Sequence, residues 1–227
     1  MKYAITFFLL GILMSFYGTQ WGGWWHVLLW SAVSCFALAV AYAGLGPRIF
    51  GKRPDGSIPT WSKLIHLPFF LYTWTIWHIV RSISRENPMD KVAPDLIIGR
   101  RLQTSERPTD IEHYIDLTAE FEDPEAIRKS PQYVSMPILD GDVPTNRTLR
   151  DAVSKVRDGV AYVHCAQGHG RTGLFALALL AARGHIRSVE EGMELIQRVR
   201  PDVRLNSAQM RFAHKFIAAP GTPQDDP

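Results

Sequence analysis

In Val160–Gly173, VAYVHCAQGHGRTG, an apolar run ends at His164 and Cys165 follows at once. Two glycines, Gly168 and Gly170, interrupt the next five residues, and Arg171, Thr172 and Gly173 open a second apolar run. The pattern predicts a buried β-strand, a tight loop and then a helix. Such a loop directs several backbone N–H groups toward one point, and the helix dipole adds positive potential there. Glycines let the backbone turn inward with no Cβ in the way. Arg171 offers a planar, two-pronged donor that matches the oxygens of a phosphate dianion. The same field should depress the pKa of Cys165, leaving a thiolate near neutral pH. Thr172 is placed to hydrogen-bond that sulfur and help it leave in a second step. These residue types in this order suit covalent phosphoryl transfer.

Outward from that stretch, short β-like runs alternate with helical ones. Leu96–Gly99, Tyr114–Thr118, Tyr133–Ile138 and Val160–His164 read as strands. Asn146–Val156, Thr172–Arg183, Ser188–Val199 and Ser207–Ile217 read as amphipathic helices, with Leu149, Val153 and Val156 at helical spacing in the first. Ser188 and Glu191 have the spacing of a capping box. This alternation predicts one α/β domain over 91–219, a central sheet flanked by helices, followed by a disordered tail over 220–227. A nucleotide-binding Walker loop would need a Lys that is missing here. A zinc site would need several ligands, and Cys165 is the domain's only cysteine, so no metal is expected.

The signature H-C-x5-R-T-G resembles that of the cysteine-based protein tyrosine phosphatase superfamily. Its glycine pattern and the domain's modest size look most like the dual-specificity, or Cdc14-like, branch, over roughly residues 91–217. The resemblance implies a protein tyrosine phosphatase-like fold, with Cys165 as the nucleophile that forms a phosphocysteine. It implies that Arg171 binds phosphate and stabilises the transition state, with Ala166, Gln167, Gly168, His169, Gly170 and Thr172 lining the substrate. No cofactor is implied.

Cleaving a phosphomonoester also requires a proton for the leaving oxygen. The family supplies it from an Asp on a loop ahead of the Cys, often as D-x-x-x-P. Here PILDGDVPT offers Asp140, four residues before Pro144, with Asp142 as the alternative. His164 is read as bracing the loop. His169 either adds charge at the rim or faces water. Gln209 stands where related phosphatases carry a Gln near the active site. Arg198, Arg200 and Arg204 either guide an anionic substrate or form a solvated basic edge.

The N-terminal part has a different character. All seven tryptophans fall within the first 77 of the 227 residues. Residues 1–90 carry 7 Lys+Arg against 3 Asp+Glu, and residues 91–227 carry 18 against 19. The mean hydropathy of −0.06 is therefore an average over two unlike parts. Tyr3–Gly18 has no charge, and Trp24–Leu45 runs 22 residues with only His26, Cys35 and Tyr42 able to ionise. At 1.5 Å per residue the second run reaches ~33 Å, enough for a ~30 Å hydrocarbon core. The short uncharged link Thr19–Gly23 suits a helical hairpin with Trp21, Trp24 and Trp25 at the water interface.

Residues 1–46 are thus expected to hold two transmembrane helices, and 47–90 a juxtamembrane linker. Leu64–Val80, with Pro68 inside and Lys63 and Arg81 outside, is expected to lie in the interface; a third span is the alternative. Arg48, Lys52, Arg53 and Lys63 follow the second span, so both termini are expected in the cytoplasm of a multi-pass inner-membrane protein of a bacterium. A reducing compartment also suits a catalytic thiolate. A secretory signal lacks a small-x-small cleavage site here. Two short spans without a polar stripe offer no transport pathway.

The resulting expectation is a membrane-anchored dual-specificity or tyrosine phosphatase acting on a phosphorylated protein, with no nucleic-acid partner. The alternatives are a lipid phosphatase, of phosphatidylglycerophosphate or phosphoinositide type, and a non-catalytic phosphate-binding adaptor.

Overall fold

The computed structural model describes residues 1–108, 110–156 and 158–218; the expected tail over 220–227 lies outside the described residues. The chain forms two compact units. One comprises Met1–Arg53, Ser57–Ile83 and Ala119–Glu122, the other Pro54–Gly56, Ser84–Thr118 and the chain from Asp123 onward.

In the first unit, α1 (Lys2–Trp21) is uncharged after Lys2, and Gly22 and Gly23, both at positive φ, end it. A 3-10 turn leads into α2 (Val27–Val40), whose helical path continues through a π turn and a second 3-10 turn to Phe50. The two helices approach closely at small residues. A Cβ on Gly11 would lie 2.7 Å from the Phe36 ring, and one on Gly18 would lie 3.0 Å from Leu29. Both are long and apolar enough to cross a membrane, by length and composition. Their outer faces are bare: Phe8, Leu9, Ile12, Leu13 and Phe16 are each about half exposed.

The next stretch forms two helices, α3 (Thr60–Ile65) and α4 (Leu67–Ile83), so the expected segment 64–80 starts and ends three residues late. Pro68 is the reason. It sits in the first turn of α4, where its missing N–H is not needed, and so marks a start rather than an interruption. The final carbonyls of α3 accept hydrogen bonds from α2: Trp30 Nε1 donates to Leu64 O at 3.0 Å and Ser34 Oγ to Ile65 O at 3.2 Å. The Lys63–Glu122 ion pair, at 2.7 Å, ties Ala119–Glu122 to this unit.

The second unit is a five-stranded sheet in the order β1-β2-β5-β3-β4. Its strands are β1 (Met89–Ala93), β2 (Leu96–Arg100), β3 (His113–Thr118), β4 (Tyr133–Ile138) and β5 (Ala161–Cys165). All neighbours are parallel except β1, which pairs antiparallel with β2. Four strands lie where the sequence places them. β1 falls in a stretch that reads as a joint, because MDKVA is short, charged and at the sheet edge. The continuous part of the unit that holds β1 starts at Ser84. A short helix, α5 (Glu125–Arg128), also goes unsignalled.

The helices α6 (Asn146–Lys155), α7 (Gly170–Ala182), α8 (Val189–Val199) and α9 (Ser207–Ala218) share the main core with one face of the sheet. α7 is apolar on every side and buried from Arg171 through Leu180, as expected of a central helix. Ser188 caps α8 by accepting from the Glu191 N–H at 3.2 Å, while the Glu191 side chain reaches the Arg187 N–H instead of closing the box on Ser188. Strand alternation divides β5. Ala161, Val163 and Cys165 belong to the main core, and Tyr162 packs in a smaller cluster with Leu102, Tyr114 and Ile127.

Candidate active site

Cys165 ends β5, the central strand, between Arg100 of β2 and the end of β3. Chain reversals at the carboxyl ends of parallel strands form the ligand crevice of open α/β sheets. The loop that follows runs against the sheet so closely that only glycine fits at its tightest point. Gly168 has φ +79°, and a Cβ there would lie 2.4 Å from the carbonyl carbon and oxygen of Gly99. This conformation aims N–H groups at the sulfur: Gly168 N donates to Cys165 Sγ at 3.3 Å, and the His169 N–H also faces it.

The sulfur is 4% exposed at the residue level and lies beside the start of α7. Burial alone pushes the Cys165 thiol up. The Arg171 charge, the Thr172 hydroxyl and the two N–H groups outweigh it, and the thiol sits below its ordinary value. Thr172 Oγ1 is fully buried without a well-formed hydrogen bond of its own, so the adjacent sulfur is the group it serves. Arg171 is 3% exposed; its Nη1 donates to Ile138 O at 3.0 Å, fixing the guanidinium at the end of β4. Its Nη2 lies 3.3 Å from Oδ1 of Asp140, whose side chain is 82% exposed.

The two acidic candidates have different surroundings. Asp142 Oδ1 accepts from the Val143 N–H at 2.9 Å, which makes Asp142 a brace for its own turn. Asp140 alone of the two reaches Arg171. Gln209 is buried at the start of α9. Its Oε1 accepts from the Asn206 N–H, its Nε2 donates to Asp142 O at 3.3 Å, and a Cβ on Gly170 would lie 3.0 Å from that Oε1. Gln209 therefore packs against the loop and steadies the Asp140–Asp142 turn. His164 is 1% exposed and lies behind the loop, bonded to Cys165 O at 3.2 Å and Asp123 Oδ2 at 2.9 Å. Burial disfavours its charged form, but Asp123 and then Asp116 outweigh this and raise its pKa.

Arg200 does neither of the things its sequence suggests. It is 2% exposed, and its guanidinium supports the loop from below, donating to Gly168 O at 3.1 Å and Gln167 O at 3.0 Å. Those carbonyls point away from the sulfur, as the inward N–H groups require. Glu86 and Asp90 neutralise Arg200 at 2.9 and 2.7 Å. Glu86 also takes His169 Nε2 at 2.9 Å, so this imidazole neither turns freely in water nor stands alone at the rim. Ala166 O accepts from the Arg101 N–H at 3.2 Å. Arg198 pairs with Glu194 on the surface of α8, and Arg204 is exposed. Glu86, Asp90, Arg101 and Asp123 carry no local sequence signal, because each meets the loop across dozens of residues.

Among the described residues, Asp116, Asp123 and His164 have ligand-like spacing, within 4.8 Å of one another. Asp116 Oδ1, Asp116 Oδ2 and Asp123 Oδ2 are taken by Thr118, Tyr133 and His164, and Asp123 Oδ1, which has no hydrogen bond, faces Arg101 Nε at 3.5 Å, a cation already in place. The loop thus surrounds the Cys165 sulfur with inward N–H groups and the Arg171 guanidinium, and Asp140 stands at the entrance.

Residues 100–216 match the family described as PTP-SAK, Swiss Army Knife protein, DSP-PTPase phosphatase domain. The chain is 32% identical over 127 residues to "Putative tyrosine phosphatase 067L" of Invertebrate iridescent virus 3, a match covering 46% of this chain and 52% of that protein. It spans about half the length of the curated relatives it matches. Among solved structures, the fold is similar to that of PTPMT1 in a complex with PI(5)P, with a TM-score of 0.52 and 17% identity over 58% of this chain and 96% of that one. It is equally similar to the human tyrosine phosphatase-like serine/threonine/tyrosine-interacting protein, with a TM-score of 0.52 and 19% identity over 60% and 97%. By the match over more than half its length, the chain belongs to the cysteine-based tyrosine and dual-specificity phosphatase family.

Proposed function

We propose that the chain is a membrane-anchored phosphomonoester phosphatase working through a phosphocysteine intermediate. One observation carries this reading: Cys165 is buried, yet Arg171, Thr172 and the inward N–H groups of Gly168 and His169 hold its thiol below the ordinary value. The phosphate dianion binds in the loop over Ala166–Gly170, and the Arg171 guanidinium takes two of its oxygens. Cys165 Sγ attacks phosphorus, the bond to the ester oxygen breaks, and that oxygen leaves with the proton of the Asp140 carboxyl. Water then attacks phosphorus, giving its proton to Asp140, and the S–P bond breaks to regenerate the thiolate. The Thr172 hydroxyl stabilises the departing sulfur. His164 and Gln209 support the loop from behind and from the side.

Full-length protein should hydrolyse p-nitrophenyl phosphate and form a covalent phosphoprotein, trapped by an alkaline denaturing quench, on brief mixing, and Cys165→Ser should abolish both. A wild-type protein that binds inorganic phosphate but turns over no aryl phosphate between pH 5 and 8 would make the adaptor reading the better one.

For substrate, we favour phosphorylated protein, since the loop AQGHG has no lysine for a highly charged lipid headgroup, and a dual-specificity pocket of the Cdc14-like branch over a tyrosine-specific one, since no aromatic recognition loop precedes Asp140. A monophosphorylated lipid is the second reading, favoured by the two apolar helices whose outer faces are bare. Such faces are unlike those of a soluble core helix and match a hairpin in lipid. The Lys and Arg residues after α2, and the need for a reduced thiol, support cytoplasmic termini in an inner membrane and an interfacial α4. Activity confined to phosphatidylglycerophosphate vesicles, with none on a phosphotyrosyl peptide, would reverse the substrate order. A reporter fused after Pro227 that is active only outside the cytoplasm would overturn the orientation.

A further inference from the structure

Behind the loop, on the opposite sheet face from the Cys165 side chain, a run of buried polar groups crosses three strands. His164 of β5 bonds Asp123, which precedes α5, and Tyr133 of β4 donates to Asp116 of β3 at 2.7 Å and to Asp123 at 3.4 Å. Asp116 Oδ1 takes the N–H and hydroxyl of Thr118. The Asp123 side chain is fully buried, and the His164 side chain is 2% exposed. Such groups persist inside a protein only when paired and satisfied.

Both ring nitrogens of His164 face oxygen acceptors. Nδ1 faces the Cys165 carbonyl at 3.2 Å and Nε2 faces the Asp123 carboxylate at 2.9 Å. A carbonyl and an ionised carboxylate only accept, so both ring nitrogens must donate, and the ring that satisfies both is the imidazolium. Two guanidiniums also face the two buried carboxylates: Arg101 Nε lies 3.5 Å from Asp123 Oδ1, and Arg128 Nε donates to the Asp123 carbonyl at 3.0 Å. Tyr162 stacks on the His164 ring with centroids 5.6 Å apart and, like Tyr133, stays neutral because burial and the nearby acids raise its pKa.

We infer that Asp123 is a positioning residue for the chemistry at Cys165: it holds His164 doubly protonated, so that the Nδ1–H grips the Cys165 carbonyl and fixes, from behind the sheet, the strand end that carries the nucleophile. This rests on the phosphatase reading only for its consequence, since the arrangement concerns the thiol before any substrate arrives. Asp123 lies one residue beyond Glu122 and 42 residues before Cys165, outside the signature motif.

The test uses full-length protein in detergent, carrying Cys35→Ser so that Cys165 is its one thiol. Nitrogen NMR of histidine-labelled protein at pH 7.5, with the His164 signal identified by its loss in His164→Asn, should show two protonated ring nitrogens. One bare nitrogen would overturn the inference, and this readout needs no variant at position 123. Alkylation of Cys165 by iodoacetate at pH 6.5 should slow about tenfold in Asp123→Asn, one pKa unit being a factor of ten in thiolate, and recover in part in Asp123→Glu. An Asp123→Asn rate–pH profile that falls on the wild-type curve would overturn the inference too. So would stoichiometric bound metal in mass spectrometry, since His164 could not then hold both protons. None of these readouts requires turnover, so a protein that passes them and hydrolyses nothing would refute the phosphatase reading alone.

Discussion

Asp140 Oδ1 lies 3.3 Å from Arg171 Nη2, so the candidate general acid occupies the guanidinium that a phosphate would bind. With the Asp140 side chain 82% exposed and Arg171 nearly buried, the mobile partner of the pair is the acid. An arriving dianion would displace the carboxylate from the guanidinium toward the ester oxygen. Asp140→Asn should therefore tighten inhibition by inorganic phosphate. It should also lower kcat on phenyl phosphate by roughly 10²-fold, the lower range for a lost general acid. On p-nitrophenyl phosphate, whose leaving group needs little protonation, the loss should be much smaller. Asp142→Asn keeps an oxygen for the Val143 N–H and should change either rate less than threefold, roughly half a kcal/mol. Steady-state rates on the two esters for both proteins check this.

Arg200 holds the loop carbonyls of Gln167 and Gly168 and is itself held by Glu86 and Asp90. Arg200→Met would keep most of the side-chain volume but leave two partly buried carboxylates without their cation. Breaking a buried pair from one side typically costs about 3–5 kcal/mol, and the partial exposure of Glu86 and Asp90 places this case at the lower end. Thermal denaturation in detergent should show a clearly lower midpoint. Phosphate binding should weaken as well, because the Gln167 and Gly168 peptides lose what orients them. A variant with unchanged stability would show that the loop holds its shape alone.

The legibility of the site followed the distance between partners. Cys165, Arg171, Thr172 and both loop glycines lie within eight residues, so strand, loop and helix could be read together from one stretch. Asp140 needed the family pattern, because no local feature separates it from Asp142; the separation appears only in space, where Val143 takes one and Arg171 the other. Arg200 looked like a surface cation because it follows directly on the amphipathic α8 and its carboxylates lie some 110 residues upstream. β1 was hidden for a related reason. An edge strand of five residues that carries Asp90 and Lys91 has neither the length nor the alternation of a core strand. In the N-terminal part, hydropathy alone gave the two long helices, while the start of α4 turned on Pro68.

Gly168 is the position where the loop has no room. Its φ of +79° and the 2.4 Å approach of a would-be Cβ to the Gly99 carbonyl mean that even Gly168→Ala must push the loop off β2. The neighbour is backbone, which cannot rotate away as a side chain would. Displacing the Gly168 N–H removes a donor aimed at the sulfur, and losing one such preorganised donor typically costs about 10²-fold in rate. The variant should show that loss in kcat/KM on p-nitrophenyl phosphate and slower alkylation of Cys165 at pH 6.5. Gly184→Ala is the control: Gly184 also has positive φ, but its Cβ position is open, so the protein should lose some stability and keep its rate.

The pH dependence follows from the lowered Cys165 thiol. An unperturbed thiol titrates near ~8.5, and here burial, which raises it, is outweighed by Arg171, Thr172 and the His169 and Gly168 N–H groups. The reactive form is the thiolate, so the acid limb of kcat/KM should lie at lower pH than an unperturbed thiol would give. Thr172→Val removes a hydroxyl while keeping the shape of the buried side chain, and it should move this acid limb toward higher pH. The same hydroxyl stabilises the sulfur as it leaves phosphorus, so the second step should slow more than the first. Rapid mixing of Thr172→Val with p-nitrophenyl phosphate should then give a burst of nitrophenol followed by a slow steady state, with phosphoprotein accumulating. A moved acid limb without a burst would confine Thr172 to thiolate formation, and a burst with an unmoved limb would confine it to the second step.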